Sequence, residues 1–467
     1  MDLIRHVEDA RLAVFQSLVD RVARRRRGSD ERPSLDDPLV LAGTLYAEMK
    51  QRGQRVPAEP PAELTTQVGG AAGTTAWRCV RLAGELMLAR LDGDHARADV
   101  LEGELKDSEC DPSWAETITE YLGYFGPDGA KRAIPYVRFQ QLDDFVYDVL
   151  PPDATVALLG DWGTGMDPAV RLLEQLARHE PDALVHLGDI YYAGTHDEVQ
   201  RHFVDLVNRI LDRARTRMPV YAIPGNHEMY SGGAAFYGML STLNAPPYTE
   251  AAATQKASYF SLRTTDGAWQ LLAMDTAFHD HDPFEVTNGM TYLEPDELQW
   301  QLDKIERVHA QGGKTLLLSH HQLFSPFATI GRAPTKPADQ QAYNTNLLNS
   351  FRDVLQAGKI AAWFWGHEHN LAIYEPYGPL ARGRCIGHGA VPVLASQEPY
   401  KGIAGLADPP QLVRDPQTGQ PIELVTNGDG VFGIGYVIVK LRSAERTAEI
   451  SYYVLDRDDP IYKETLA

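Results

Sequence analysis

Five short apolar runs organise the chain. Residues 155–159, 183–187 and 220–223 are aliphatic or β-branched stretches of strand length, and each runs into a glycine followed by a polar residue: Asp161, Asp189 and Asn226. Between the first two, Val170, Leu173 and Ala177 recur at helical spacing behind Pro168, a residue suited to a first helical turn. Between the second and third, Val199, Phe203, Leu206, Val207, Ile210 and Leu211 form one apolar face over residues 197–215. This predicts strand, helix, strand, helix, strand, with parallel strands whose carboxyl ends share an edge where ligands bind. Two later runs, 316–318 and 363–365, end in Ser319-His320-His321 and in Gly366-His367-Glu368-His369.

The pattern before residue 120 is different. Apolar residues at helical spacing, interrupted by Gly, Pro and Ser near positions 28, 57 and 69, predict a small helical domain that carries no chemical motif. The basic run 24–27 reads as a solvated helix end, where cations favour the carbonyl terminus. A junction rich in glycine and proline closes this region, giving a helical N-terminal domain and junction over 1–150 and a second domain over 151–467.

Within the second domain, 233–256 reads as a loop or lid, and 257–263 with 268–275 reads as a hairpin around Thr265-Asp266-Gly267. A helix over 340–356 and strands near 373–376, 385–392, 433–441 and 449–455 predict a second sheet packed on the first. The segment Gly312-Gly313-Lys314-Thr315 imitates a phosphate loop, but Val308 stands where the first glycine belongs and a strand follows instead of a helix, so a nucleotide-binding loop is excluded.

Composition narrows the function classes. The chain has 467 residues, 43% of them hydrophobic, and a formal net charge of −20, which argues against broad binding to nucleic acid or to an anionic membrane. Three cysteines are too few and too scattered for a disulfide framework. The start lacks the continuous apolar core of a signal peptide, and no apolar run reaches transmembrane length, so the expected location is cytoplasmic.

The strand ends supply two aspartates, a tyrosine, an asparagine and three or four histidines, enough for two metal ions. The ordered set Gly160-Asp161-Trp162-Gly163, Gly188-Asp189-Ile190-Tyr191-Tyr192, Gly225-Asn226-His227-Glu228, His320 and Gly366-His367-Glu368-His369 resembles the calcineurin-like metallophosphoesterases, and within them the purple acid phosphatases. The resemblance covers roughly residues 153 to 455. It implies an α/β fold of two packed mixed sheets flanked by helices, with the N-terminal helical domain outside it.

It also implies a ligand set: Asp161, Asp189, Tyr192 and His369 on the first metal, and Asp189, Asn226, His320 and His367 on the second. His320 is preferred to His321 by registration with the family. The wider superfamily carries Asp-x-His in its first motif, whereas position 163 is glycine, and Tyr192 stands as the replacement ligand. A phenolate favours Fe(III) at that site, with Fe(II), Mn(II) or Zn(II) at the other, since carboxylate, imidazole, amide and phenolate suit these ions better than calcium.

The expected reaction is hydrolysis of a phosphate monoester by a metal-bound hydroxide, with His227 donating to the phosphoryl or leaving-group oxygen. A phosphodiesterase acting on cyclic nucleotides or other small diesters is the alternative, and an inactive scaffold a more distant one. Mammalian-type purple acid phosphatases have a further histidine after the strand-end histidine, and residues 324–332 contain none. His279, His281 and His388 are therefore candidate substrate contacts. The expected partner is a small phosphate ester, with the helical domain serving as a cap or as the surface of a homo-oligomer.

Overall fold

The computed structural model describes the chain apart from residues 1–4, 6, 29–32, 126–133, 281–287, 333 and 337–338. Two mixed sheets face each other. A six-stranded sheet holds β2 (Thr155–Leu159), β3 (Ala183–His186), β4 (Val220–Ala222), β11 (Gly435–Arg442), β12 (Thr447–Val454) and β13 (Tyr462–Leu466) in the order β13-β12-β11-β2-β3-β4. A seven-stranded sheet holds β1 (Val146–Leu150), β5 (Phe260–Thr264), β6 (Trp269–Ala273), β7 (Lys314–Ser319), β8 (Ile360–Trp365), β9 (Leu371–Ile373) and β10 (Gly383–Ile386) in the order β1-β5-β6-β7-β8-β10-β9.

As the alternation of strand and helix predicts, β2, β3 and β4 are parallel, and so are β6, β7 and β8. The later strands divide between the sheets: β9 and β10 join β8, while β11 bridges β2 to β12 and β13. β1 pairs with β5, so residues assigned from sequence to the junction already belong to a sheet edge.

Period-two alternation explains the layering. Val156, Leu158, Val185, Leu187, Tyr221 and Ile223 enter the core between the sheets, where Phe260, Leu271 and Leu318 meet them. Ala157, Leu159, Leu184, Val220 and Ala222 face the other way, against Ala169, Leu172, Leu173 and Leu176 of the helix Asp167–Ala177.

The first domain comprises α1 (Ala10–Arg27), α2 (Pro38–Gln51), α3 (Ala62–Val68), α4 (Gly70–Leu91), α5 (His95–Lys106) and α6 (Ser113–Phe125). Its own core gathers Leu18, Leu45, Trp77, Leu86 and Trp114, together with Ala193 from the turn after β3. Side-chain caps from Asp9, Asp37 and Asp94 satisfy the first amides of α1, α2 and α5.

Two expectations are corrected here. Cys79 and Cys110 form a disulfide that ties α4 to the segment after α5. The basic end of α1 is not simply solvated: Arg24 pairs with Asp20 at 2.8 Å, Arg27 with Asp37 at 2.9 Å, and Arg25 with Glu116 and Glu120, each at 3.6 Å.

Candidate metal centre

The carboxyl ends of β2, β3 and β4 meet those of β7 and β8 at one edge of the sandwich. Asp161, Asp189 and Asn226 come from the six-stranded sheet, and His320, His367 and His369 from the seven-stranded sheet. Asp161, Asp189 and His367 sit at φ of 56°, 74° and 67°, the left-handed region, which costs of the order of 1–3 kcal/mol each outside glycine. Surrounding hydrogen bonds hold this conformation. The Asp161 amide donates to the Gly188 carbonyl at 3.0 Å, the His367 amide to Asp161 Oδ2 at 2.9 Å, and the His227 amide to Asp189 Oδ1 at 3.1 Å.

The donor set was tested against a cation by counting protons. His320 Nδ1 lies 2.9 Å from the Leu187 carbonyl and must donate to it, leaving Nε2 as a lone pair. That lone pair faces Asn226 Oδ1 at 2.9 Å and His367 Nδ1 at 3.2 Å, and His367 Nδ1 is itself 3.0 Å from the same amide oxygen. The amide nitrogen of Asn226 is turned away, donating to the Tyr230 hydroxyl at 2.5 Å. Burial lowers the pKa of both imidazoles, so in their neutral forms at most one proton, on His367 Nδ1, is shared among the three atoms. A cation among them would satisfy the lone pairs that remain.

A second cluster repeats the pattern. The Tyr191 hydroxyl lies 2.9 Å from Asp189 Oδ2, 2.9 Å from His369 Nε2 and 3.2 Å from Asp161 Oδ1, a phenol set against two carboxyl groups and an imidazole. Burial pushes the Asp161 carboxyl up to about 8. Asp189 is held low despite its burial by the imidazoles of His320, His227 and His367. The two clusters, Asp161 with Asp189 and His369, and His320 with His321 and His367, each bring their ligand atoms within 4.8 Å of one another. Asp189 lies between them, 3.4 Å from His320 Nε2.

The tyrosine differs from expectation. Tyr191, not Tyr192, presents its hydroxyl to the carboxylates. Tyr192 packs against Met166, while its carbonyl accepts a short hydrogen bond from His227 Nδ1. Backbone pairing decides this: the Tyr191 amide donates to the Gly163 carbonyl at 2.8 Å, which fixes the turn after Asp189. Gly163 is itself constrained, since a Cβ there would lie 2.7 Å from Ile190 Cα, so position 163 has no room for the histidine of the wider superfamily.

His227 and His321 also reach the centre. With Nδ1 donating to Tyr192, His227 presents Nε2, 3.8 Å from Asp189 Oδ2, to the cleft. His321 is held at Nδ1 by the Thr276 hydroxyl and at Nε2 by Asp280, both at 3.0 Å, so both its nitrogens already have partners.

The other candidate contacts fare differently. His279 stacks on Tyr292 and bonds Glu294 at 2.8 Å, outside the cleft lining. His388 is buried against β11, where a Cβ on Gly435 would come within 2.6 Å of its Nε2, and it too lies outside the lining. His281 lies outside the described residues.

Several supporting residues carried no role in the sequence reading. Glu228, part of the Gly-Asn-His-Glu motif, accepts from the amides of Gly225 at 2.5 Å, Asp189 at 3.1 Å and Ile190, fastening two ligand-bearing turns together. Glu198 accepts from the amides of Tyr192, Ala193 and Thr195 at 2.7, 3.1 and 3.0 Å, and from the Ser17 hydroxyl of α1 at 2.8 Å. Arg24 of α1 reaches His202 Nε2 at 3.2 Å, and His202 Nδ1 donates to the Tyr191 carbonyl at 2.8 Å. The helical domain thus braces the tyrosine turn from behind, and Glu8, Asp9, Ala10 and Gln51 form one wall of the cleft in front, which encloses about 680 Å³. No motif marks these residues, because their function depends on where the first domain docks.

Comparison with known proteins agrees with this geometry. Residues 154–371 match the model of the calcineurin-like phosphoesterases. Solved structures with a similar chain include the anchor protein GAP50 of the Plasmodium inner membrane complex, at 12% identity over 67% of this chain and 88% of that one, with a TM-score of 0.42. The purple acid phosphatase PPD1 from yellow lupin is 14% identical over 69% of this chain and 55% of its own, with a TM-score of 0.42. A dimetal phosphatase from Danio rerio is 15% identical over 68% and 99%, with a TM-score of 0.41. No curated protein matches the chain by sequence. Among the described residues no helix is long and apolar enough to cross a membrane. Residues 154–371 carry a calcineurin-like phosphoesterase domain, which supports a metal-dependent phosphoric ester hydrolase.

Proposed function

We propose that the protein hydrolyses phosphate monoesters at a dinuclear centre. Asp161, Asp189, Tyr191 and His369 would hold one ion, and Asp189, Asn226, His320 and His367 the other, with Tyr191 taking the part expected of Tyr192. The observation that carries this reading is the convergence from both sheets of His320 Nε2, His367 Nδ1 and Asn226 Oδ1 within 3.2 Å of one another, three nitrogen and oxygen atoms with at most one proton, on His367 Nδ1, to share. The phenol favours Fe(III) at the first position, and the mixed nitrogen and oxygen set suits Fe(II), Mn(II) or Zn(II) at the second. When bound, such a pair lends positive charge to phosphoryl oxygens and lowers the pKa of water.

The chain's own groups supply the rest. His227, oriented by the Tyr192 carbonyl, presents Nε2 where it can give a proton to the leaving-group oxygen. Glu228 and Glu198 hold the turns that carry the ligands. Glu8, Asp9, Ala10 and Gln51 of the first domain form one wall of the cleft, which supports a capping role for that domain. The Cys79–Cys110 bond weighs against the cytoplasmic reading, since such bonds persist in oxidising compartments.

Turnover of a nitrophenyl phosphate monoester is measured against the bis-nitrophenyl diester after chelation and restoration of iron, manganese or zinc. Preference for the monoester is the expected result. Preference for the diester transfers the protein to the phosphodiesterases, and metal-loaded protein inert on both overturns the reading.

A further inference from the structure

The cleft in front of the metal centre is lined by charge of one sign. Glu8, Asp9, Asp280, Glu368 and Glu398 border it, and among the described residues no lysine or arginine lines it. Four of the five carboxylates have local duties: Asp9 caps α1, Asp280 accepts from His321, Glu368 Oε2 accepts from the Ser325 hydroxyl at 2.9 Å, and Glu398 pairs with Lys401 at 2.5 Å. Glu8 is exposed, makes no ion pair among the described residues, and its charge acts on His369 and Tyr230.

Neutral acceptors stand on the same lining. Gln322 Oε1 and Asn370 Oδ1, together with Glu368 Oε1, have no hydrogen-bond donor among the described residues, and these side chains are 1%, 3% and 8% exposed. Buried acceptors of this kind call for N–H or O–H groups. Metal ions attract the phosphoryl group whatever it is attached to, so the remainder of the substrate experiences the cleft itself.

Resting on the phosphatase reading, we propose that this cleft selects phosphate monoesters whose alcohol carries a protonated amine, with Glu8 as the specificity-determining charge and Gln322 and Asn370 accepting the ammonium N–H groups. A leaving group bearing a carboxylate or a second phosphate meets repulsion from the same wall. A neutral polyol can use the acceptors but gains nothing from the field.

The test uses the full metal-restored chain with O-phosphoethanolamine, glycerol 2-phosphate and 3-phosphoglycerate, and nitrophenyl phosphate as reference. The expected kcat/KM for phosphoethanolamine exceeds that for phosphoglycerate by about tenfold or more, the order that a difference of two charges produces at a partly solvated site, and the ratio narrows with added salt. Glu8→Gln narrows it severalfold, and Glu398→Gln, at a second lining carboxylate, narrows it as well. Equal rates, a preference for phosphoglycerate, or a ratio unmoved by Glu8→Gln overturns the inference while turnover of nitrophenyl phosphate leaves the phosphatase reading standing. Without that turnover the phosphatase reading fails, and calorimetric binding of the same compounds decides the cleft's preference: tighter phosphoethanolamine sustains it, and no preference overturns it.

Discussion

Replacing Tyr191 by phenylalanine removes the hydroxyl that lies within 3.2 Å of Asp161, Asp189 and His369. Burial, reinforced by the charges of Asp189 and Asp161, raises this phenol well above its ordinary range, so the metal-free protein keeps the proton across neutral pH. A cation that takes the phenolate must expel that proton. Its affinity therefore rises with pH, by a factor of about ten per unit from this group alone. In Tyr191→Phe, metal uptake releases one proton fewer and the slope of log affinity against pH falls by one. The metal-free variant also loses a hydrogen bond to a carboxylate, worth about 1.5–3 kcal/mol. Calorimetry in buffers of different ionisation enthalpy counts the protons, and the visible absorption after iron restoration reports the tyrosinate. Tyr192→Phe should leave both unchanged. Equal proton release by wild type and Tyr191→Phe, or loss of the absorption band in Tyr192→Phe instead, would refute the assignment.

Three further outcomes are expected. His227→Ala should lower kcat by about 10²–10⁴ while leaving metal content near that of the wild type, measured by elemental analysis beside steady-state kinetics. Burial holds the Asp161 carboxyl near 8 against an ordinary 3.8, so the stability it contributes to the metal-free protein is full below about 4 and lost as the pH rises through 8; denaturant melts across this window should show the decline, and added zinc or manganese should abolish it. Cys110→Ser opens a loop with a sequence separation of 31 residues, and chain entropy places the loss at roughly 3–4 kcal/mol, read as a lower midpoint that reducing agent reproduces in the wild type.

Much of the centre was legible in the order of residues because each ligand stands directly after a strand, where the apolar run stops and the backbone must turn. Asp161, Asp189 and Asn226 follow glycines, and His320, His367 and His369 follow the two latest runs. The parallel strands and the hairpin of β5 and β6 followed from the same alternation. What sequence could not decide was direction. Two consecutive tyrosines offer the same hydroxyl, and the hydrogen bond from Tyr191 to the Gly163 carbonyl selects between them only in three dimensions. Partner choice among strands was equally hidden, since a buried apolar run does not state its neighbour: β9 and β10 read as companions of β11 and β12, but β10 pairs with β8 and β9 with β10. Ser17, Arg24 and Glu8 were silent because they act across a domain contact, far from any residue whose spacing could reveal them.

The division of the centre between two sheets has a consequence for the whole molecule. The second ion would draw Asp189 and Asn226 from one sheet and His320 and His367 from the other, so neither sheet by itself offers more than half a site. Metal affinity is then a gauge of docking between the sheets, and its free energy is added to the stability of the sandwich by mass action. Truncating Leu318 or Tyr221, both wholly buried between the sheets, should weaken metal retention without touching a ligand. Conversely, a loaded protein should resist separation of its sheets in the way a riveted joint resists shear, and chelation would loosen the hydrophobic core as well as silence the chemistry.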